Sequence, residues 1–190
     1  MKNIVIFASG SGTNAQKIVE YFEESELARV TSIFTNNKNA GVIDRARITG
    51  TPCIVFTMDE LNDGTVLQKV KALKTDLIVL AGFLKKIPTE LITEYPDRII
   101  NIHPALLPDY GGQGMYGMKV HQAIVDNEEE ETGITIHYVN DDYDEGEIIF
   151  QETVEVDPED SPEDVAYKVQ QLEHKHFPAV IEWVLNDLEA

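Results

Sequence analysis

Asn101 and His103 stand two residues apart at the end of an apolar run, Arg98-Ile99-Ile100, just before "PALLPDYGGQG" (104–114). On a strand, residues i and i+2 leave the same face, roughly 7 Å apart along it. An amide and an imidazole so placed can both donate to one ligand atom. That pairing suits an oxyanion developing during attack on a carbonyl. The alternative is a structural histidine that satisfies only its own strand end.

Four other stretches carry chemistry-capable residues. "ASGSGTNAQ" (8–16) is a strand-loop-helix junction of small residues, where backbone N–H groups and a helix N-terminus can meet an anion. Gly10, Gly12 and Ala15 fit a dinucleotide fingerprint, but "SIFTNNKN" (32–39) lacks the acid that fingerprint needs, and no Gly-Lys-Ser/Thr follows. A monophosphate site or a plain capped turn remains. The loop around 141–147 holds Asp141, Asp142, Asp144, Glu145 and Glu147. A carboxylate from it, folded over His103, would raise the imidazole pKa above ~6.5 and let the ring act as an acid. Composition singles out none of the five. "AGFLKKIP" (81–88) is either a strand end with a solvated basic pair or an edge where a flat ring lies along backbone 84–87. Gln170 and Glu173, three apart, share a helix face; by themselves they are an ordinary surface pair.

The elements that position these residues follow from hydropathy. Runs at 3–8, 30–35, 52–56, 76–82 and 98–103 are short, continuous and rich in Ile, Val and Phe, like strands covered on both faces of a parallel sheet. Ile18, Val19 and Phe22 share one side of 15–25, and Val66, Leu67, Val70 and Leu73 one side of 65–74, which predicts helices. Pro88 opens another over 88–95, with Glu90 in its first turn. Ile134, Ile136 and Tyr138 then alternate with Thr135, His137 and Val139, and 148–156 follows a polar turn. This predicts an antiparallel pair. "SPED" starts a closing helix over 161–188, with a bend expected before Pro178.

The expectation is one α/β domain over 1–190, a Rossmann-like three-layer sandwich whose mostly parallel sheet carries an antiparallel strand pair late in the chain. Ligands of such sheets lie beyond the carboxyl ends of the strands. Segments 9–14, 82–87, 101–117 and 140–146 all fall there.

Bulk numbers exclude several classes. The 190 residues, 43% hydrophobic, suffice for one full core. A net charge of −19, from 15 basic against 34 acidic residues, argues against a nucleic-acid partner. No apolar stretch of ~18 residues or basic-then-apolar leader is apparent, so no membrane and a cytoplasmic location are expected. Cys53 is the single cysteine, which rules out an internal disulfide or cysteine zinc site; it is expected to be a buried strand residue.

Five motifs occur in order: "IVIFASGSGTN" (4–14), "LIVLAGFLKKI" (77–87), "IINIHPALLP" (99–108), "GITIHYVNDDYDEGEII" (133–149) and "VQQLEHKHFP" (169–178). On these the chain resembles the phosphoribosylglycinamide formyltransferase family, folate-dependent enzymes of purine synthesis. The resemblance covers 3 to about 183 and implies a single formyltransferase domain. It implies that Gly12, Thr13 and Asn14 grip the substrate phosphate and that Gln170 and Glu173 hold the glycinamide end. Asn101, His103 and Asp144 would be the catalytic trio. Leu84, Lys85, Lys86 and Ile87 would line a folate pteridine pocket through their backbone, with Asn101, Asn140 and Asp144 opposite. The implied co-substrate is 10-formyltetrahydrofolate and the acceptor glycinamide ribonucleotide, with no metal; a homodimer is left open.

The chain departs from the family pattern at "LKK" (84–86), at Ala105 and in a longer 109–121 segment. His121, His137 and His174 receive no role. A tRNA formyltransferase would need a further basic domain, and a formyl-folate hydrolase usually carries a regulatory domain ahead of its core. A non-catalytic nucleotide-binding module would want the missing acid. An acidic interaction protein would not need Asn101 and His103 on one strand tip.

Overall fold

The computed structural model describes residues 1–188. Seven strands form one sheet in the order β3-β2-β1-β4-β5-β6-β7. They are β1 (Lys2–Phe7), β2 (Ala28–Thr35), β3 (Cys53–Val55), β4 (Leu77–Leu80), β5 (Ile99–His103), β6 (Glu131–Tyr138) and β7 (Ile148–Glu155). The first five pair in parallel, while β6 runs against β5 and β7 against β6. The order reverses at β1, which lies between β2 and β4. That reversal opens a crevice at the strands' carboxyl ends.

Continuous apolar strands imply cover on both faces, and both faces are covered. Ile4 and Ile6 look toward α1 (Thr13–Phe22), α2 (Val42–Thr49), α6 (Met118–Asp126) and α7 (Pro162–Asp187). Val5 and Phe7 look toward α3 (Met58–Asn62), α4 (Thr65–Ala72) and α5 (Thr89–Glu94). On this second face Phe7 stacks on Phe34 at 5.1 Å and meets Phe56 and Phe83 edge-on at 5.8 and 5.4 Å. Each such ring pair adds about 1 kcal/mol beyond the area it buries.

Every expected strand and helix is present, with ends moved by one to three residues. Three helices escaped the sequence reading: α2, α3 and α6. The segment taken as loop over 109–121 gives way to α6 at Met118, so His121 is helical and buried. No break precedes Pro178; α7 runs unbroken for 26 residues with that proline inside it. Cys53 is half-buried at the start of edge strand β3 rather than fully buried, and partial burial pushes its thiol pKa up. No described helix is long and apolar enough to cross a membrane.

Candidate active site

The pleat of β5 does what its spacing requires. Ile100 and Ile102 enter one core, while Asn101 and His103 leave the opposite face at the strand's carboxyl end. Across the antiparallel ladder Asn101 faces His137 and His103 faces Thr135. The β6–β7 register shifts between Ile136 and His137, and irregularities of this kind re-aim a side chain. His137 Nδ1 lies 2.8 Å from the Tyr138 carbonyl and so donates to it. Its Nε2 then accepts from the Asn101 amide at 3.1 Å. This tautomer follows from the partners.

Asp144 is the carboxylate the fold selects from the acidic loop. Gly146 lets the chain turn back tightly: a Cβ there would sit 1.7 Å from the Tyr138 carbonyl oxygen. Asp144 itself adopts φ 57°, a left-handed conformation that a short polar side chain tolerates. Its Oδ2 accepts from the Gly112 amide at 3.0 Å and stands 3.5 Å from His103 Nδ1. Its Oδ1 is 3.5 Å from Asn101 Nδ2 and from His137 Nε2. Burial drives the Asp144 carboxyl pKa up, but His137, the His103 charge and the Gly112 amide outweigh it. The net position is below the ordinary 3.8.

His103 departs from expectation in one respect. Its side chain is only 4% exposed, and burial holds the imidazole pKa below 6.5 although Asp144 and the Tyr110 carbonyl both pull it upward. The raised pKa anticipated from a neighbouring carboxylate is therefore not found: desolvation is the larger effect. The neighbours nonetheless favour the charged ring. Nε2 donates to the Tyr110 carbonyl at 2.8 Å while Nδ1 looks at the Asp144 carboxylate.

The β1–α1 loop lies across the crevice. Gly12 takes φ 74°, and a Cβ there would stand 2.3 Å from Val42 Cγ2, so no larger residue fits. Arg45, a side chain the sequence did not single out, donates to the Ser11 carbonyl at 2.7 Å. From α7, Gln170 donates to Thr13 Oγ1 at 3.3 Å, and Glu173 accepts from Asn14 Nδ2 at 2.8 Å. Residues 157 and 159 apart in sequence thus form one cluster. Desolvation raises the Glu173 pKa to about 7 against the Asn14 bond. Glu173 is half-buried and lines the crevice wall. Asn14 Oδ1 is buried without a partner. So is Nδ1 of His121, which also lines the crevice, beside His103.

Two cavities result. The larger, about 760 Å³, runs from Gly12, Thr13, Asn14, Gln170 and Glu173 to His103. The smaller, about 70 Å³, lies between Lys85, Lys86, Ile87 and Asn140. Both are lined by Asn101 and Asp144, so they meet at these two side chains. Leu84 borders the larger cavity only, and its amide is already taken by Ser9 Oγ at 3.1 Å. Among the described residues no group of three or more His, Cys, Asp or Glu side chains could hold a metal ion.

A doubly wound sheet whose crevice joins a glycine-rich loop to an amide, an imidazole and a carboxylate defines an α/β protein with a candidate ligand site at its switch point. The chain belongs to the formyl transferase family, whose model matches residues 2–181. A phosphoribosylglycinamide formyltransferase of Escherichia coli is 34% identical over 187 residues, covering 95% of this chain and 86% of its own. The chloroplastic phosphoribosylglycinamide formyltransferase of Arabidopsis thaliana is 40% identical over 95% of this chain. The chain spans 64% of that plant protein's length and 60% of the one from Vigna unguiculata. Among solved structures, glycinamide ribonucleotide transformylase 1 from Symbiobacterium toebii superposes with a TM-score of 0.90 at 29% identity, covering 98% of this chain and 89% of that one.

Proposed function

We propose that the protein transfers the formyl group of 10-formyltetrahydrofolate to the amine of glycinamide ribonucleotide, giving formylglycinamide ribonucleotide and tetrahydrofolate. One observation carries the reading: two cavities of different size meet at Asn101 and Asp144, within reach of His103. An acceptor and a donor bound one in each would bring amine and formyl carbon together there. In this reading the Gly12–Asn14 loop takes the phosphate, and Gln170 with Glu173 holds the glycinamide end. Lys85, Lys86, Ile87 and Asn140 border the folate ring, while Leu84 lies on the side of the larger cavity. The names of relatives from bacteria and plants support the acceptor and the formyl group transferred.

The amine nitrogen attacks the formyl carbon, that carbon's bond to N10 breaks, and one proton passes from amine to N10. Asn101 Nδ2 donates to the oxygen that gains charge and the positive charge of the His103 ring beside it adds to this, which is transition-state stabilisation by pre-placed groups. Asp144 stabilises the imidazolium and offers a route for the proton. The chain's own groups suffice for these steps. The reading also places the enzyme in the cytoplasm, on the sequence alone.

The test is direct. Purified protein is mixed with glycinamide ribonucleotide and a 10-formyl folate, and folate absorbance is followed. Turnover that requires the ribonucleotide is expected, and His103→Ala should lower kcat by about 10³-fold with the fold intact by circular dichroism. Formyl release without the ribonucleotide would instead indicate a hydrolase.

A further inference from the structure

His103 and Asp144 are gripped by one three-residue turn. Tyr110 supplies the carbonyl that accepts from His103 Nε2, and Gly112 supplies the amide that donates to Asp144 Oδ2. The turn is not relaxed. Tyr110 sits at φ 56°, a left-handed conformation that a bulky aromatic residue resists, and Gly112 at φ 89°. Gly111 between them lies close under Leu107, whose Cδ2 would have to move from a Cβ placed 2.5 Å away. Backbone held in such a conformation persists only where surrounding contacts over-determine it.

Those contacts come from the other end of the same side chain. The Tyr110 ring packs against the main core. Its hydroxyl donates to Glu129 Oε1 at 2.6 Å and accepts from Asn127 Nδ2 at 2.9 Å. Asn127 and Glu129 end α6 and lead into β6; their amides bond back to the Ala123 and Ile124 carbonyls. A connected frame therefore runs from β5 through the turn and the α6 terminus to β6, which pairs with β5 again. Neither Asn127 nor Glu129 lines either cavity.

We propose that Tyr110 is a positioning residue: its hydroxyl, anchored by Asn127 and Glu129, holds the strained 110–112 turn that aims His103 and Asp144 at the reacting atoms. This rests on the reading of that pair as the reacting groups. Tyr110 touches no substrate; it acts through its carbonyl and through the amide two residues on. Loss of the hydroxyl lets the turn relax toward ordinary φ values, which withdraws the acceptor from Nε2 and the donor from Asp144 together.

The experiment compares Tyr110→Phe, Glu129→Ala and the conservative Glu129→Gln, whose amide oxygen still accepts from the phenol. Each is measured for kcat, for KM of both substrates, for the pH profile of kcat/KM, and for His103 ring nitrogens by NMR. Tyr110→Phe and Glu129→Ala are expected to lower kcat roughly tenfold with KM within about twofold. They should move the alkaline limb to lower pH and alter the Nε2 signal; Glu129→Gln should restore most of each. Wild-type kcat, pH limb and ring signals in Tyr110→Phe would overturn the proposal. So would a fall in melting temperature and kcat with limb and ring signals unmoved, the mark of a merely structural role. If His103→Ala kept its turnover, the catalytic reading would fall instead. The ring signals would still report whether the hydroxyl holds the imidazole.

Discussion

Neutral imidazole has one N–H, yet His103 lies between a carbonyl oxygen and a carboxylate, both acceptors. Only the imidazolium can donate to both, while burial resists charging it. The balance is set by Asp144, the charged neighbour at 3.5 Å. Where the charged ring is the donor, kcat/KM falls as pH rises through the His103 pKa, below 6.5 in the free protein. Asp144→Asn removes the charge that favours the protonated ring, so the alkaline limb should move further down, and its position in a kcat/KM profile checks this. The candidacy of Asn101 and His103 was legible, because strand pleating alone puts them on one face. Asp144 was not. Its selection among five acids rests on the tight return at Gly146 and on its own left-handed backbone, and neither is local enough to see in one sequence.

The joint between α1 and α7 is a polar seam in otherwise apolar packing. Glu173 is its ionisable member, with a folded pKa of about 7 against 4.5 for a free carboxyl. Between those values the folded chain holds a proton that the unfolded chain has lost. The stability this contributes is full below 4.5 and is lost as pH rises through 7. Glu173→Gln should therefore raise the melting temperature at pH 8, a gain on the order of 1–2 kcal/mol after allowing for water in the crevice. The gain should vanish toward pH 4.5, while affinity for the ribonucleotide drops; calorimetry at two pH values separates the effects. Helices with long apolar periods, α1 and α7, were legible. The five-residue α3 left only its capping box, Thr57 with Glu60, and α6 is entered from a glycine-rich segment that hides its start.

At the scale of the whole molecule, 34 acidic residues against 15 basic ones repel one another across a 190-residue surface. Salt screens such repulsion over a Debye length of about 10 Å at 0.1 M. Raising NaCl from 20 to 300 mM should increase the melting temperature, the reverse of what a surface held by ion pairs would do. The parallel-then-antiparallel sheet was legible in the change from continuous to alternating apolar runs. The strand order was not, since it depends on which strands meet in space. One further consequence follows from the pairing of β6 with β5. The pleat that seats Ile134 and Ile136 in the core also sets His137 opposite Asn101. A one-residue misalignment during folding would put those isoleucines where Thr135 and His137 belong as it turned the histidine away. One alignment thus serves two ends: the step that seats the isoleucines in the interior also turns the strand's polar residues toward the crevice.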